Sequence, residues 1–156
     1  MNLLRRKFIK TATFVGAAVT TVGTGALIPQ RVLGAYAKAA FEATDVSGAL
    51  NASLGSDQHT ASGAIQLKAP DIAENGAVVP ITVSTDMANV NAISIVASGN
   101  ASPLTSTYQL TAACEPFVST RIKMGKTSDV IAVVKADGKL YSATKEVKVT
   151  IGGCGG

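Results

Sequence analysis

The sequence predicts an all-β fold: an antiparallel β-sandwich with one short N-terminal helix and a glycine-rich C-terminal arm. Three observations carry that expectation. From Gly63 onward, short β-branched runs alternate with turn residues, the pattern of half-buried strands joined by tight connections. Asp137-Gly138, set between Ala136 and Lys139, is the sequence of a two-residue hairpin turn. The chain has no Trp and few aromatics, so its core is assembled from Val, Ile, Leu and Ala, residues that pack well on pleated surfaces.

The first stretch stands apart. Arg5 and Arg6 are followed by Lys7 and Phe8, then by a mildly apolar run from about Thr11 to Ile28 that Gly16, Gly23 and Gly25 interrupt. Paired arginines before a weakly hydrophobic core resemble a twin-arginine export signal. Leu4 stands where such signals usually carry Ser or Thr. Ala35-Tyr36-Ala37 and Ala37-Lys38-Ala39 are both small-x-small cleavage sites, which puts cleavage between Ala37 and Ala40. The run is too short and too polar to span a bilayer comfortably, so no permanent membrane anchor is expected. The expected organisation is an export signal over residues 1–39, a sandwich domain over 40–151 and a separate arm over 152–156, with the product in the periplasm.

The elements of the domain follow in order. Ala39 to Leu54 is rich in Ala and Leu and reads as a short helix, ended near Gly55. Ala64 to Lys68 alternates apolar and polar residues. Val78 to Val83 is a strand interrupted by Pro80, which cannot donate to a ladder and so marks an edge or a bulge. Ala92 to Val96 is β-branched, and Thr107 to Thr111 extends after the break at Pro103. In Val118 to Met124, Val118, Ile122 and Met124 share one face. Val130 to Val134 is uniformly apolar and reads as a fully buried strand. The return strand points Val147, Val149 and Ile151 inward and leads directly into Gly152.

Charge divides along the same lines. Residues 1–39 hold six of the 14 basic residues and no acid, leaving eight basic against ten acidic residues in the rest, a net charge of −2. The basic character of the whole chain therefore belongs to its signal and lends no support to nucleic-acid binding. Residues 40–120 carry a net −6, whereas residues 121–156 carry +4. A basic neighbourhood around the tail favours an anionic substrate or an acidic docking surface; lysines alternating along solvated strand faces would give the same count.

No catalytic constellation is visible. His59, the single histidine, lies in a Ser-Asp-Gln-His-Thr stretch and reads as an exposed loop residue. Metal ligation needs more donors than His59 and scattered carboxylates supply, and no glycine pattern has phosphate-loop spacing. No intrinsic cofactor is expected. What remains is Gly152-Gly153-Cys154-Gly155-Gly156. Glycine loses most entropy on ordering, so four of them around one cysteine predict a mobile arm. Five extended residues reach roughly 17 Å. The thiolate is the nucleophilic form of cysteine, and the nearby carboxylate of Gly156 opposes its ionisation. Activation is then left to whichever enzyme receives the arm. Cys114, in Ala113-Cys114-Glu115-Pro116, is either a possible redox partner of Cys154 or a small apolar residue.

An export signal, a β domain ending Val147-Lys148-Val149-Thr150-Ile151 and the terminal Gly-Gly-Cys-Gly-Gly resemble the SoxY sulfur-carrier family of the periplasmic thiosulfate-oxidising (Sox) system. The stretch Phe117 to Met124 and the run through Lys139-Leu140-Tyr141 are similar to that family as well. The resemblance implies an immunoglobulin-like sandwich in a heterodimer with a SoxZ-like β-rich subunit. It implies that Cys154 holds thiosulfate-derived sulfur covalently, that a haem-containing oxidase component joins it there, and that a dimanganese hydrolase component releases sulfate. The haem and manganese belong to those partners, and the chain itself is a non-catalytic carrier. Cys114 is outside the carrier motif. Two other readings stand beside this one: an exported structural or binding β-module with a Cys114–Cys154 disulfide, and a sulfur carrier that works through a thiocarboxylate on Gly156.

Overall fold

The computed structural model describes residues 37–150. The expected export signal up to residue 36, Ile151 and the Gly152–Gly156 arm with Cys154 lie outside the described residues.

The expected single helix is two. Helix α1 spans Lys38–Glu42 and α2 spans Val46–Leu54. Asp45 separates them: its carboxylate accepts a hydrogen bond from the Gly48 backbone N–H at 2.7 Å, the N-cap contact that starts a new helix. Gly55 closes α2 in the left-handed region at φ 85°, its N–H bonded to the Asn51 carbonyl, as a helix C-terminus requires. Helix α1 has no side-chain cap, and its Lys38–Glu42 pair, 3.6 Å apart and exposed, opposes the helix dipole. Packing must hold so short an element, and Ala40 is fully buried.

Among the described residues nine strands follow: β1 His59–Ala61, β2 Ile65–Lys68, β3 Ile72–Ala73, β4 Val79–Thr85, β5 Val90–Ala97, β6 Leu104–Gln109, β7 Phe117–Ile122, β8 Ser128–Ala136 and β9 Lys139–Val149. One sheet has the order β1-β9-β8-β5-β6, with β3 on the same edge of β9 as β1; the second has the order β2-β4-β7. The all-β expectation is met, with two short helices among the described residues where one was expected. All pairings are antiparallel except those of β1 and β3, which run parallel to β9.

Two hydrophobic clusters explain the burial pattern. Between the sheets, Ile93, Ile95, Val130, Ala132, Val134 and Val147 meet Val79, Ile81, Val83, Val118, Ile122 and Met124. On the other face of the large sheet, Ala92, Val96, Val133 and Leu140 pack against Ala40, Ala49, Leu50 and Leu54 of the helices. β5 and β8 are thus covered on both faces, so their runs lose the alternation of half-buried strands. Val147 is fully buried and Val149 packs against the same core, as the pattern of the return strand required.

Pro80 refines an expectation. β4 is the central strand of the smaller sheet, not an edge. Its register with β2 covers only Thr82–Thr85, however, and Pro80 is paired with Arg121 of β7 alone. The missing N–H is tolerated because one side of the strand is open at that residue. Asp137 and Gly138 both have positive φ, 50° and 74°, the primed turn that matches strand twist; Asn89 Nδ2 donates to Asp137 Oδ1 at 2.8 Å.

Candidate functional site

The topology gives the domain two ends. At the hairpin end lie the Asp137-Gly138 turn, the start of β5 and the end of β6. At the exit end lie the start of β8, the end of β7 and Val149, where β9 stops. From Leu140 to Val149 the strand advances roughly 30 Å at 3.3 Å per residue. Sequence segments far apart are brought together at the exit end to brace the last residues before the glycine-flanked cysteine.

On one side, β3 runs alongside. Lys148 donates its backbone N–H to the Asp71 carbonyl at 3.0 Å and Thr150 donates to the Ala73 carbonyl at 3.2 Å. The Thr150 hydroxyl reaches the Ala73 and Glu74 carbonyls, each at 3.4 Å. Lys145 fixes the approach to β3, donating to the Ala69 carbonyl at 2.6 Å and pairing with Asp71 at 2.9 Å. On the other side, the Thr127 hydroxyl accepts from the Val149 N–H at 2.9 Å. The Gly76 carbonyl accepts from the Met124 N–H at 2.7 Å. A Cβ at Gly76 would lie 2.4 Å from the Met124 carbonyl oxygen and 2.8 Å from Val149 Cγ1, so this contact needs glycine for its close approach. Every backbone donor of the stretch from Lys148 to Thr150 therefore has a partner.

Beside this root is an open cleft of about 660 Å³, lined by the β5–β6 loop from Ser98 to Ser102 and by Lys123, Gly125 and Lys126 of the β7–β8 loop. Asn100 staples the two loops: Nδ2 donates to the Lys123 carbonyl at 2.7 Å, and Oδ1 accepts from the Gly125 N–H at 3.0 Å. Both lysines are exposed, and neither forms an ion pair among the described residues.

Cys114 sits at the opposite end. It closes a turn in the β6–β7 connection, its N–H bonded to the Thr111 carbonyl at 2.9 Å, and its exposed thiol is 3.4 Å from the Thr111 hydroxyl. That hydroxyl, and then the Thr111 backbone, hold the thiol below its ordinary pKa; a hydrogen bond to the thiolate favours the charged form. His59 corrects the loop expectation. It belongs to the edge strand β1, paired with Leu140, and its Nδ1 lies 2.9 Å from the Ser142 hydroxyl, also at the hairpin end.

Of the residues singled out in sequence, Cys114 is thus described and far from the root, while Cys154, Gly152, Gly153, Gly155 and Gly156 lie outside the described residues. Sequence reasoning missed the bracing set of Gly76, Thr127 and Thr150, and the lysine-lined cleft. Asn75-Gly76 is a turn-forming pair by residue type, but nothing local marks Gly76 as the neighbour of Met124 and Val149.

A family model described as SoxY, sulfur oxidation protein SoxY, matches residues 50–154. The solved structure of the sulfur carrier protein SoxY from Chlorobium limicola f thiosulfatophilum is 48% identical, with a TM-score of 0.60 over 66% of this chain and 94% of that one. A superoxide reductase (neelaredoxin) from Ignicoccus hospitalis aligns at 20% identity and a TM-score of 0.49, over 59% of this chain and 81% of that one. No curated protein matches the chain.

Proposed function

The chain belongs to the SoxY family of sulfur oxidation proteins, and on that premise we propose that Cys154 is the atom-bearing residue of a sulfur carrier that holds its cargo covalently and hands it to partner enzymes. One observation carries the reading. The family match extends through Cys154, and β9 is hydrogen-bonded up to Thr150, four residues before it. The cysteine is therefore tethered to a fixed root, with glycines that let the backbone pass into narrow clefts.

The chemistry asked of the chain is small. The Cys154 thiolate and the sulfane sulfur of thiosulfate join in an S–S bond as two electrons leave to the haem-containing component. The product, Cys-S-S-SO3 with one negative charge, is cleaved by water at the S–SO3 bond in the hydrolase component. Sulfate and two protons leave, and a persulfide anion stays on Cys154. The chain supplies a nucleophilic sulfur and a short tether, which keeps intermediates at high effective concentration at each station. It works as a non-catalytic subunit without an intrinsic cofactor, in the periplasm, beside a SoxZ-like β-rich subunit.

The alternative disulfide module is disfavoured by distance. Four residues past Thr150 span at most ~14 Å, and a disulfide bridges roughly 6 Å between Cα atoms. Cys114 precedes β7 at the hairpin end, and the path from Phe117 to Met124 at the root alone covers roughly 23 Å at 3.3 Å per residue, more than that reach. Mass spectrometry of the protein after turnover with thiosulfate and the oxidase component tests the reading. Adducts are expected on Cys154 and absent from Cys154→Ser; adducts confined to Cys114 would refute it.

A further inference from the structure

The cleft at the exit end has a composition that the carrier reading does not use. Lys123 and Lys126 line it, no carboxylate does, and neither ammonium group has an ion-pair partner among the described residues. Its shape is fixed by the two Asn100 bonds. Its wall includes Gly99, where a Cβ would lie 2.7 Å from Ser128 Cβ and 3.1 Å from Lys126 Cε. The absent side chain thus leaves room first for Ser128 and then for the Lys126 stem.

The cleft is also near the tether. Lys126 precedes Thr127, whose hydroxyl holds the Val149 N–H at 2.9 Å. Cys154 is five residues beyond Val149, a reach of at most ~17 Å. Two ammonium groups without an ion-pair partner among the described residues, in a lining that holds no carboxylate, favour an anion.

We propose that this cleft is an oxyanion site that engages the sulfonate end of cargo carried on Cys154, through Lys123 and Lys126. The inference rests on the carrier reading for its ligand. Tethering makes a weak site sufficient. A short link holds the sulfonate at about millimolar effective concentration, so the tethered group occupies a cleft that the same group free in dilute solution leaves empty. The contact depends on charge, so the carrier distinguishes its own loading states. A tail ending in sulfonate is drawn to the exit-end cleft, and a tail carrying a neutral group of similar size is not.

The test installs the charge chemically, so its outcome does not depend on whether thiosulfate is the natural cargo. In the chain carrying Cys114→Ser, Cys154 is converted to a mixed disulfide with either 2-sulfonatoethyl methanethiosulfonate or neutral methyl methanethiosulfonate. Backbone amide shifts are then recorded by NMR. The sulfonate adduct is expected to shift the amides of Gly99, Asn100, Gly125 and Lys126, the neutral adduct to leave them unmoved, and free methanesulfonate at matched concentration to do nothing. Lys123→Gln with Lys126→Gln is expected to abolish the shifts and each single variant to reduce them; the single variants carry the test if the double variant loses its dispersed spectrum. Equal shifts from both adducts, no shifts from either, or shifts that survive loss of the lysines would overturn the proposal. Failure here with thiosulfate adducts still found on Cys154 removes the cleft and leaves the carrier reading standing.

Discussion

Gly76→Ala is the perturbation that bears most directly on how the tail is rooted. The added Cβ would fall 2.4 Å from the Met124 carbonyl oxygen and 2.8 Å from Val149 Cγ1. The first neighbour is backbone and cannot rotate away, so the β7–β8 loop or β9 must shift. Overpacking of this kind costs about 1–3 kcal/mol. Displacing the loop also strains the 2.7 Å bond from the Met124 N–H to the Gly76 carbonyl, adding about 0.5–1.5 kcal/mol. The sum, about 1.5–4.5 kcal/mol, lowers the urea midpoint by roughly 0.8–2.3 M at an m-value of about 2 kcal/mol/M. Gly63→Ala is the internal control. No atom lies within 4 Å of a Cβ there and its φ is not positive, so the change is neutral or stabilises by about 0.4–1 kcal/mol through the unfolded chain. Urea unfolding measures both. Hydrogen exchange adds the location: the amides of Met124, Val149 and Thr150 lose protection more than those of β5. Equal midpoints for Gly76→Ala and Gly63→Ala would refute the claim that the root is braced by this contact.

Two further outcomes follow from other parts of the molecule. The Thr111 hydroxyl holds the Cys114 thiol below its ordinary pKa, so more thiolate is present at neutral pH than in a free cysteine. Thr111→Val, in a Cys154→Ser chain, raises that pKa, moves the pH profile of iodoacetamide alkylation upward and slows the reaction near pH 7.5; an unmoved profile contradicts the assignment. Of the two candidate cleavage sites, the one after Ala37 leaves α1 whole, whereas the one after Ala39 removes the first two residues of a helix whose Ala40 is fully buried. N-terminal sequencing of exported protein is expected to begin at Lys38, and a start at Ala40 would show that α1 is dispensable.

The legible parts of the fold share a cause. Strands such as Phe117–Ile122 and the hairpin at Asp137-Gly138 are written in nearest-neighbour chemistry, alternation and turn residues, which act over a few positions. The single expected helix became two because one hydrogen bond, from the Gly48 N–H to Asp45, starts α2 afresh; a cap of that kind is easily overlooked in an Ala-rich run. Pro80 marked a local gap in pairing correctly, but whether β4 was central depended on where β2 ended, which no feature of β4 itself encodes.

Sequence alone determined that this is a β domain, that its core is aliphatic, and that Cys154 is set among four glycines. These follow from composition and short-range pattern. Tertiary structure decided everything that depends on which ends of which strands meet: that Cys114 faces away from the root, that Gly76, Thr127 and Ala73 hold the final residues of β9, and that Lys123 and Lys126 share a cleft beside them. The physical reason is sheet order. A strand run of ten residues carries its two ends roughly 30 Å apart, so residues close in sequence can serve opposite ends, and residues more than 70 apart can serve the same one.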